Sequence, residues 1–303
     1  MTYSIIGRDP ETGQVGIAVQ SRWIHAGQDL AWIEPGVGAV CTQAFLEPAY
    51  GPRGLELMRA GRSPDEAIGE LTAADDGRDM RQVAMMDAGG RVAQHTGGRC
   101  VEAAGHASGS ECCAQGNMLA SATCWTAMVR AFGDTEGELA DRLLAALDAA
   151  EREGGDARGR QAAAILVRPR EATGLPWKDR VFDIQVVDHR DPVTELHRLV
   201  TMTRAYHRLS AAMDLAQTGE LTAAAGEADA AHELAPEDDQ ILFWRATLIA
   251  GSGRIEEAVA SLREAAAANR DWPEFLRRCV AAGILPEDVE PLAEAARSSQ
   301  TPL

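Results

Sequence analysis

The sequence predicts an α+β fold followed by an all-α region, and three observations carry that expectation. The chain opens on two β-prone runs, Thr2 to Arg8 and Gln14 to Arg22, flanking the turn-forming cluster Asp9-Pro10-Glu11-Thr12-Gly13. Stretches of strand and helix character then follow in blocks, strands, helices, strands, helices, strands, an order that fits two stacked sheets with helices outside. Beyond residue 205 the pattern turns helical, and Ala212, Gly219, Ala224 and Ala231 recur 34 residues later as Ala246, Gly253, Ala258 and Ala265. The expected division is residues 1–205 and residues 206–303.

A turn through Pro10 to Gly13 sets Asp9 opposite Gln14 in the first hairpin. Counting back along the strands then puts Thr2 opposite Ser21 and beside Arg22. The segment Trp23 to Ile33 is apolar and reads as strand and loop, and Gly36 to Ala44 reads as a buried strand. A short helix over Arg53 to Ala60 stops at Gly61. Ser63-Pro64-Asp65-Glu66 then supplies serine at N-cap, proline at N1 and glutamate at N3, a capping box that starts the next helix. A second hairpin joins Arg81–Asp87 to Arg91–Gln94 through Ala88-Gly89-Gly90. Strands near Cys100–Gly105 and Glu111–Gly116 complete this block, ending at Asn117. Helices are expected over Ala120–Phe132 and Glu136–Glu153, strands over Arg160–Val167 and Arg180–Val187, and a long helix from Pro192.

A net charge of -17 argues against a nucleic-acid ligand, which calls for a basic face. No basic and apolar leader opens the chain and no apolar run reaches the ~18–20 residues of a membrane span, so a cytoplasmic protein is expected, without membrane contact. None of the six cysteines sits in a paired CxxC spacing. Cys112 and Cys113, adjacent on a strand, point to opposite faces. They read as buried thiols rather than zinc ligands, and no metal or cofactor is expected.

The blocks Thr2–Ile6, Asp9–Gly13, Gly16–Arg22, Gly36–Val40, Thr42–Ala44, Tyr50–Leu55, Gln82-Val83, Gln115-Gly116-Asn117 and Gly159-Arg160-Gln161 resemble, in the same order, a bacterial family of unknown function, DUF1028. That family is assigned to the Ntn-hydrolase superfamily. The resemblance implies a four-layer αββα Ntn-hydrolase-like sandwich over residues 1–205, with an active site at the chain start. The tail resembles the tetratricopeptide (TPR) repeat, which implies a TPR-like helical domain over residues 206–303.

Met1 precedes a small residue, the setting in which initiator methionine is commonly trimmed. Trimming leaves Thr2 as the amino terminus, carrying a nucleophilic Oγ1 and, in its own α-amine, a base. With the resemblance, Thr2, Ser21, Arg22 and Asn117 form the expected catalytic set. Ser21-Arg22 is also similar to the corresponding stretch of proteasome β subunits. Arg22 either lowers the amine pKa by like-charge repulsion or grips a substrate carboxylate with its fork. Asn117 offers an amide donor for an oxyanion, and Gln43, Arg160 and Gln161 are the expected substrate contacts.

Taken singly, each of these residues also fits a plain role: Thr2 as the first residue of an edge strand, Arg22 as a surface charge. The expected function is an amidohydrolase acting on a small amide or related C–N bond through a threonyl ester. Two other readings stay open. One is a non-catalytic interaction protein whose helical repeats bind a partner or a second copy, and the other is a cysteine enzyme using Cys41.

Overall fold

The computed structural model describes residues 2–297. Its contacts divide the chain into Met1–Val200 and Thr201–Leu303. In the first unit the chain runs β1 (Thr2–Arg8), β2 (Val15–Ser21), α1 (Ala26–Leu30), β3 (Ala31–Glu34), β4 (Gly38–Ala44), α2 (Tyr50–Arg59), α3 (Pro64–Ala73), β5 (Arg81–Asp87), β6 (Val92–Thr96), β7 (Gly105–Gly109), β8 (Cys112–Asn117), α4 (Cys124–Asp134), α5 (Leu139–Arg152), β9 (Ala162–Arg168) and β10 (Phe182–Val186). Helix α6 (Pro192–Gln217) contains the division. The second unit continues with α7 (Leu221–Leu234), α8 (Asp239–Gly251), α9 (Ile255–Ala268), α10 (Trp272–Ala281) and α11 (Pro291–Arg297).

The ten strands form a six-stranded sheet, β10-β9-β2-β1-β8-β7, and a four-stranded sheet, β3-β4-β5-β6. Every paired neighbour is antiparallel. Strand alternation sorts the side chains into layers. Ile6, Ile17, Val19 and Ala164 of the larger sheet share one core with Ala39, Cys41, Ala84 and Met86 of the smaller. On the other face of the larger sheet, Ile5, Ala18 and Ile165 pack with Met128, Phe132, Leu143 and Leu147 of α4 and α5. On the other face of the smaller sheet, Val40, Val83 and Met85 pack with Tyr50, Leu55, Ile68 and Leu71 of α2 and α3. Cys112 belongs to the helix-side core and Cys113 to the inter-sheet core, on opposite faces.

The first hairpin has the register expected of its turn. Asp9 N–H donates to Gln14 O at 2.9 Å and Thr2 pairs with Ser21. Its middle is thinned by the cross-strand pair Gly7 and Gly16. A Cβ at Gly7 would lie 2.4 Å from Phe132 Cε2, and one at Gly16 would lie 2.7 Å from Leu143 Cδ1. Two glycines therefore let α4 and α5 settle on the sheet.

Two segments differ from expectation. Within Trp23 to Ile33 the chain makes α1 before β3: Trp23 Nε1 donates to Asp29 Oδ2 at 2.8 Å, and Gly27 presses against Gln185 and Ala164, where a side chain would collide. Residues 100–104 do not form a strand. Val101 O and Ala103 O instead accept from Met118 N–H (3.1 Å) and Leu119 N–H (3.3 Å), so their bonding capacity secures the chain leaving β8, and the strand begins at Gly105.

In the second unit the 34-residue period has a backbone counterpart. Gly219 and Gly253 both sit at positive φ, 84° and 90°. Each turns the chain into the next helix, where an L side chain would be strained. Ala212, Ala224, Ala231 and their counterparts Ala246, Ala258 and Ala265 are all fully buried, small enough for helices to approach closely. A stacked pair, Phe243 and Trp272 (ring centroids 4.7 Å apart), fills the far end.

Ser63 Oγ accepts from Glu66 N–H at 3.3 Å while Glu66 Oε2 accepts from Ser63 N–H at 2.8 Å, so the capping box is formed. Ser63→Ala should lower stability by about 1 kcal/mol in urea unfolding. Gly7→Ala should cost about 1–3 kcal/mol by overpacking against Phe132. A neutral Gly7→Ala would mean that the α4 contact is loose.

Candidate functional site

Four strands end level with one another at one edge of the larger sheet. Asn117 of β8 pairs with Thr2 of β1, Thr2 with Ser21 of β2, and Ser21 with Ala162 of β9. Alternation turns Thr2, Ser4, Ser21, Gln115 and Asn117 toward the inter-sheet space, while Tyr3 faces the helices. Thr2 Oγ1 and Ser21 Oγ are 2.8 Å apart, both buried. The structure thus brings Thr2, Ser21 and Asn117 together as a row. Met1 lies outside the described residues.

Across the gap the smaller sheet contributes Gln43 of β4 and Gln82 of β5, themselves cross-strand partners and fully buried. Gln43 Nε2 donates to Thr2 O (3.2 Å) and to Gln82 Oε1 (2.6 Å), and Gln43 Oε1 accepts from Ser4 Oγ (2.7 Å). Gln82 Oε1 also accepts from Asn117 Nδ2 (3.0 Å). Gln82 Nε2 faces three oxygens, Thr96 Oγ1 (2.9 Å), Gly105 O (3.0 Å) and Gly116 O (2.8 Å). Those three acceptors fix which way the Gln82 amide points, and Gln82 in turn fixes Asn117. Asn117 Oδ1 has no partner among the described residues. The side chain therefore keeps one N–H and one carbonyl oxygen uncommitted beside Thr2.

Met118, the residue after Asn117, adopts φ 56°. This left-handed step is costly for a residue with a side chain and turns the chain sharply at the strand end.

Arg22, one residue past Ser21, is exposed. Its backbone N–H donates to Asp156 Oδ2 (3.1 Å) and its Nη1 to Arg158 O (3.1 Å). Asp156 is buried and also accepts from Arg158 N–H at 2.9 Å, so it ties the loop before β9 to the end of β2. Arg160 pairs with Glu151 and lies 3.6 Å from Asp191. Glu151 also accepts from Tyr3 Oη. Burial, then the Glu151 charge, push the Tyr3 phenol well above its ordinary range, which keeps it a proton donor. Gln161 Nε2 donates to Asp188 Oδ1 at 3.3 Å. Arg22, Arg160 and Gln161 line an open pocket of about 640 Å³ together with Asp188, His189 and Arg190.

The expected residues thus fall into two adjoining groups, a buried row with its amide network and a basic pocket at the row's end. Sequence reasoning missed three participants. Gln82 was visible only as one residue of a similar block, and Asp156 and Arg190 carried no signal that singled them out. Cys41 lies in the inter-sheet core, its thiol pushed up to about 12 by burial. Among the described residues, no group of three or more His, Cys, Asp or Glu side chains is placed to hold a metal ion. No described helix is long and apolar enough to cross a membrane.

This mixed α/β unit of antiparallel sheets, which a helical C-terminal region follows in the chain, is of a class already seen in a solved structure. The crystal structure of protein SPO2555 from Silicibacter pomeroyi, a DUF1028 protein, matches with a TM-score of 0.59 and 32% identity, over 65% of this chain and 84% of that one. The DUF1028 model, described as a family of unknown function, matches residues 2–196, and the chain belongs to that family. No curated protein matches the chain.

Replacing Gln82 by Leu would take from Asn117 Nδ2 its acceptor, from Gln43 Nε2 one of its two acceptors, and from the carbonyls of Gly105 and Gly116 a donor, all in a buried space. At about 1–3 kcal/mol for a buried group left unpaired, the loss in urea unfolding should reach about 3 kcal/mol or more. A cost below about 1 kcal/mol would show that water replaces the amide.

A thiol pKa near 12 leaves about one Cys41 in ten thousand as thiolate at pH 8. Iodoacetamide should spare Cys41 in the folded protein at pH 8, with peptide mapping as the readout. Rapid alkylation there would overturn its assignment as an inert core residue.

Proposed function

We propose that the protein is an N-terminal-nucleophile hydrolase in which Thr2, freed by removal of Met1, cleaves a small amide or related C–N bond through a threonyl ester. In this reading the layered sheets are the αββα sandwich of the Ntn-hydrolase superfamily. The observation that carries it is the contact of Thr2 Oγ1 with Ser21 Oγ at 2.8 Å, at the start of a central strand and across from Asn117.

The chemistry balances on Thr2 itself. Its α-amine, with an ordinary pKa of roughly 7.7–8.0, takes the Oγ1 proton as Oγ1 attacks the substrate carbonyl carbon. Ser21 orients the hydroxyl. The second Nδ2 proton of Asn117 is a donor for the oxyanion, and its unpartnered Oδ1 is an acceptor for the α-ammonium. The C–N bond breaks as the α-ammonium returns its proton to the leaving nitrogen. Water, deprotonated by the same amine, attacks the ester, releases the acid and restores the hydroxyl. Gln43, held by Gln82, fixes the backbone at Thr2, and Arg22, Arg160 and Gln161 receive the rest of the substrate. General-base assistance of this kind contributes about 10²–10⁴-fold.

The helical region, read as TPR-like, serves contact rather than catalysis, recruiting a protein partner or a second copy. This is supported by its 34-residue period and by a groove of about 490 Å³ bordered by Trp244, Trp272 and Phe275.

On protein verified by mass spectrometry to begin at Thr2, Thr2→Ala should abolish amide turnover and any acyl adduct without changing the melting temperature by more than a few degrees. Thr2→Ser should retain part of the rate. Protein that keeps Met1 should be inactive although every side chain remains, because its Thr2 nitrogen is an amide. Equal activity of the two forms would sink the mechanism.

A further inference from the structure

We propose that the pocket at the ends of β2 and β9, two strands from Thr2, is an anion site that selects small amides bearing a carboxylate, with Arg190 as its principal anchor. The proposal rests on the hydrolase reading for the identity of the reacting bond, and on the pocket alone for the charge of the ligand.

In a chain of net charge -17, the six residues lining this pocket include three guanidiniums and one carboxylate. Glu151, Asp191 and Asp188 offset part of that charge, while Arg22 and Arg190 pair with no acid among the described residues. Arg22 spends its Nη1 on the carbonyl of Arg158 rather than on an acid. Arg160 is held by Glu151 and Asp191, which aim it without occupying its whole fork. The Arg190 side chain has no hydrogen bond or ion pair among the described residues and is exposed. The one acid, Asp188, accepts from Gln161. His189 Nδ1 accepts from Asp191 N–H at 3.1 Å, which leaves its ring proton on Nε2 as a further donor. Arg22 and Arg190 are thus left without a carboxylate partner, and a guanidinium fork matches the plane of a carboxylate.

The geometry also limits ligand length. Gln161 precedes the β9 residue paired with Ser21, and Ser21 is paired with Thr2. At about 4.8 Å per strand spacing, the pocket wall lies roughly 10 Å from the Thr2 backbone. A glutaryl group, with four bonds between amide carbonyl and carboxylate, covers about 5 Å of that span, and the reach of the Thr2 and arginine side chains covers the rest. Asp188 and Asp191, the acid preceding α6 at the same rim, repel any anion alike, so inorganic phosphate serves as the comparison for shape at similar charge.

The test is calorimetric titration of the full-length protein with glutarate, with neutral glutaramide and with inorganic phosphate. Glutarate should bind at least tenfold tighter than either of the others, and should weaken as NaCl is raised. Arg190→Ala and Arg190→Gln should each weaken glutarate at least tenfold with an unchanged melting temperature, and Arg190→Lys should recover part of it. Equal binding of glutaramide, tighter binding of phosphate, no glutarate binding, or indifference to Arg190 would overturn the proposal. Release of aniline from glutaryl anilide by the Thr2-terminated protein separates the two readings. Arg190-dependent glutarate binding without aniline release keeps the anion site and removes the hydrolase, whereas turnover of neutral amides without glutarate binding does the reverse.

Discussion

The buried side-chain amide of Gln82 is the constraint on which the first unit depends. It sits where two sheets meet, touches partners on four strands besides its own, and satisfies backbone carbonyls that face away from any ladder. In a dry interior an amide with three oxygens before its nitrogen has only one tolerable orientation, because reversing it would set oxygen against oxygen at under 3 Å. That orientation passes through Asn117 and Gln43 to the Thr2 backbone. The apolar inter-sheet core supplies attraction without direction. The amides supply the register between sheets and place polar groups beside Thr2 at a defined angle.

Burial and charge are divided sharply between the two halves of the site. The side chains of Asn117, Thr2 and Ser21 are buried and uncharged, and their dipoles are fixed by their neighbours. The pocket of Arg22, Arg160 and Arg190 is open, and its guanidiniums reach solvent, where charge is cheap to maintain. Tyr3 and Glu151 connect the halves, since Tyr3 follows Thr2 in β1 while Glu151 steers Arg160 at the pocket rim. A shift of the first strand would therefore disturb both the buried row and the orientation of Arg160.

The helical region follows a different economy. Its helices approach through alanines, which lose little entropy on burial but also bury little surface each. Aromatic residues compensate at the far end, where Phe243 contacts Trp244, Trp272 and Phe275. Phe243 is fully buried, whereas Trp244, Trp272 and Phe275 stay partly exposed and border a groove.

Rules that act along the chain were legible from the sequence. Pro10 to Gly13 closes the hairpin, and a period of two then carries the pairing to Thr2 and Ser21 without any tertiary information. The capping box at Ser63, the opposed faces of Cys112 and Cys113, and the 34-residue spacing of glycine and alanine are likewise local or periodic. What only the tertiary structure decided is which distant segments meet. Nothing in the alternation of β8 says that it lies beside β1 and sets Asn117 against Thr2, since any strand with an apolar face can pair with any other. Gln82, Asp156 and Arg190 gain their roles only from sheet stacking and loop closure. The helix at Ala26–Leu30 packs its Gly27 against Gln185, far along the chain. Backbone preference is written residue by residue, whereas a site assembled from several strands is a property of their meeting, and its polar groups acquire direction only once that meeting excludes water.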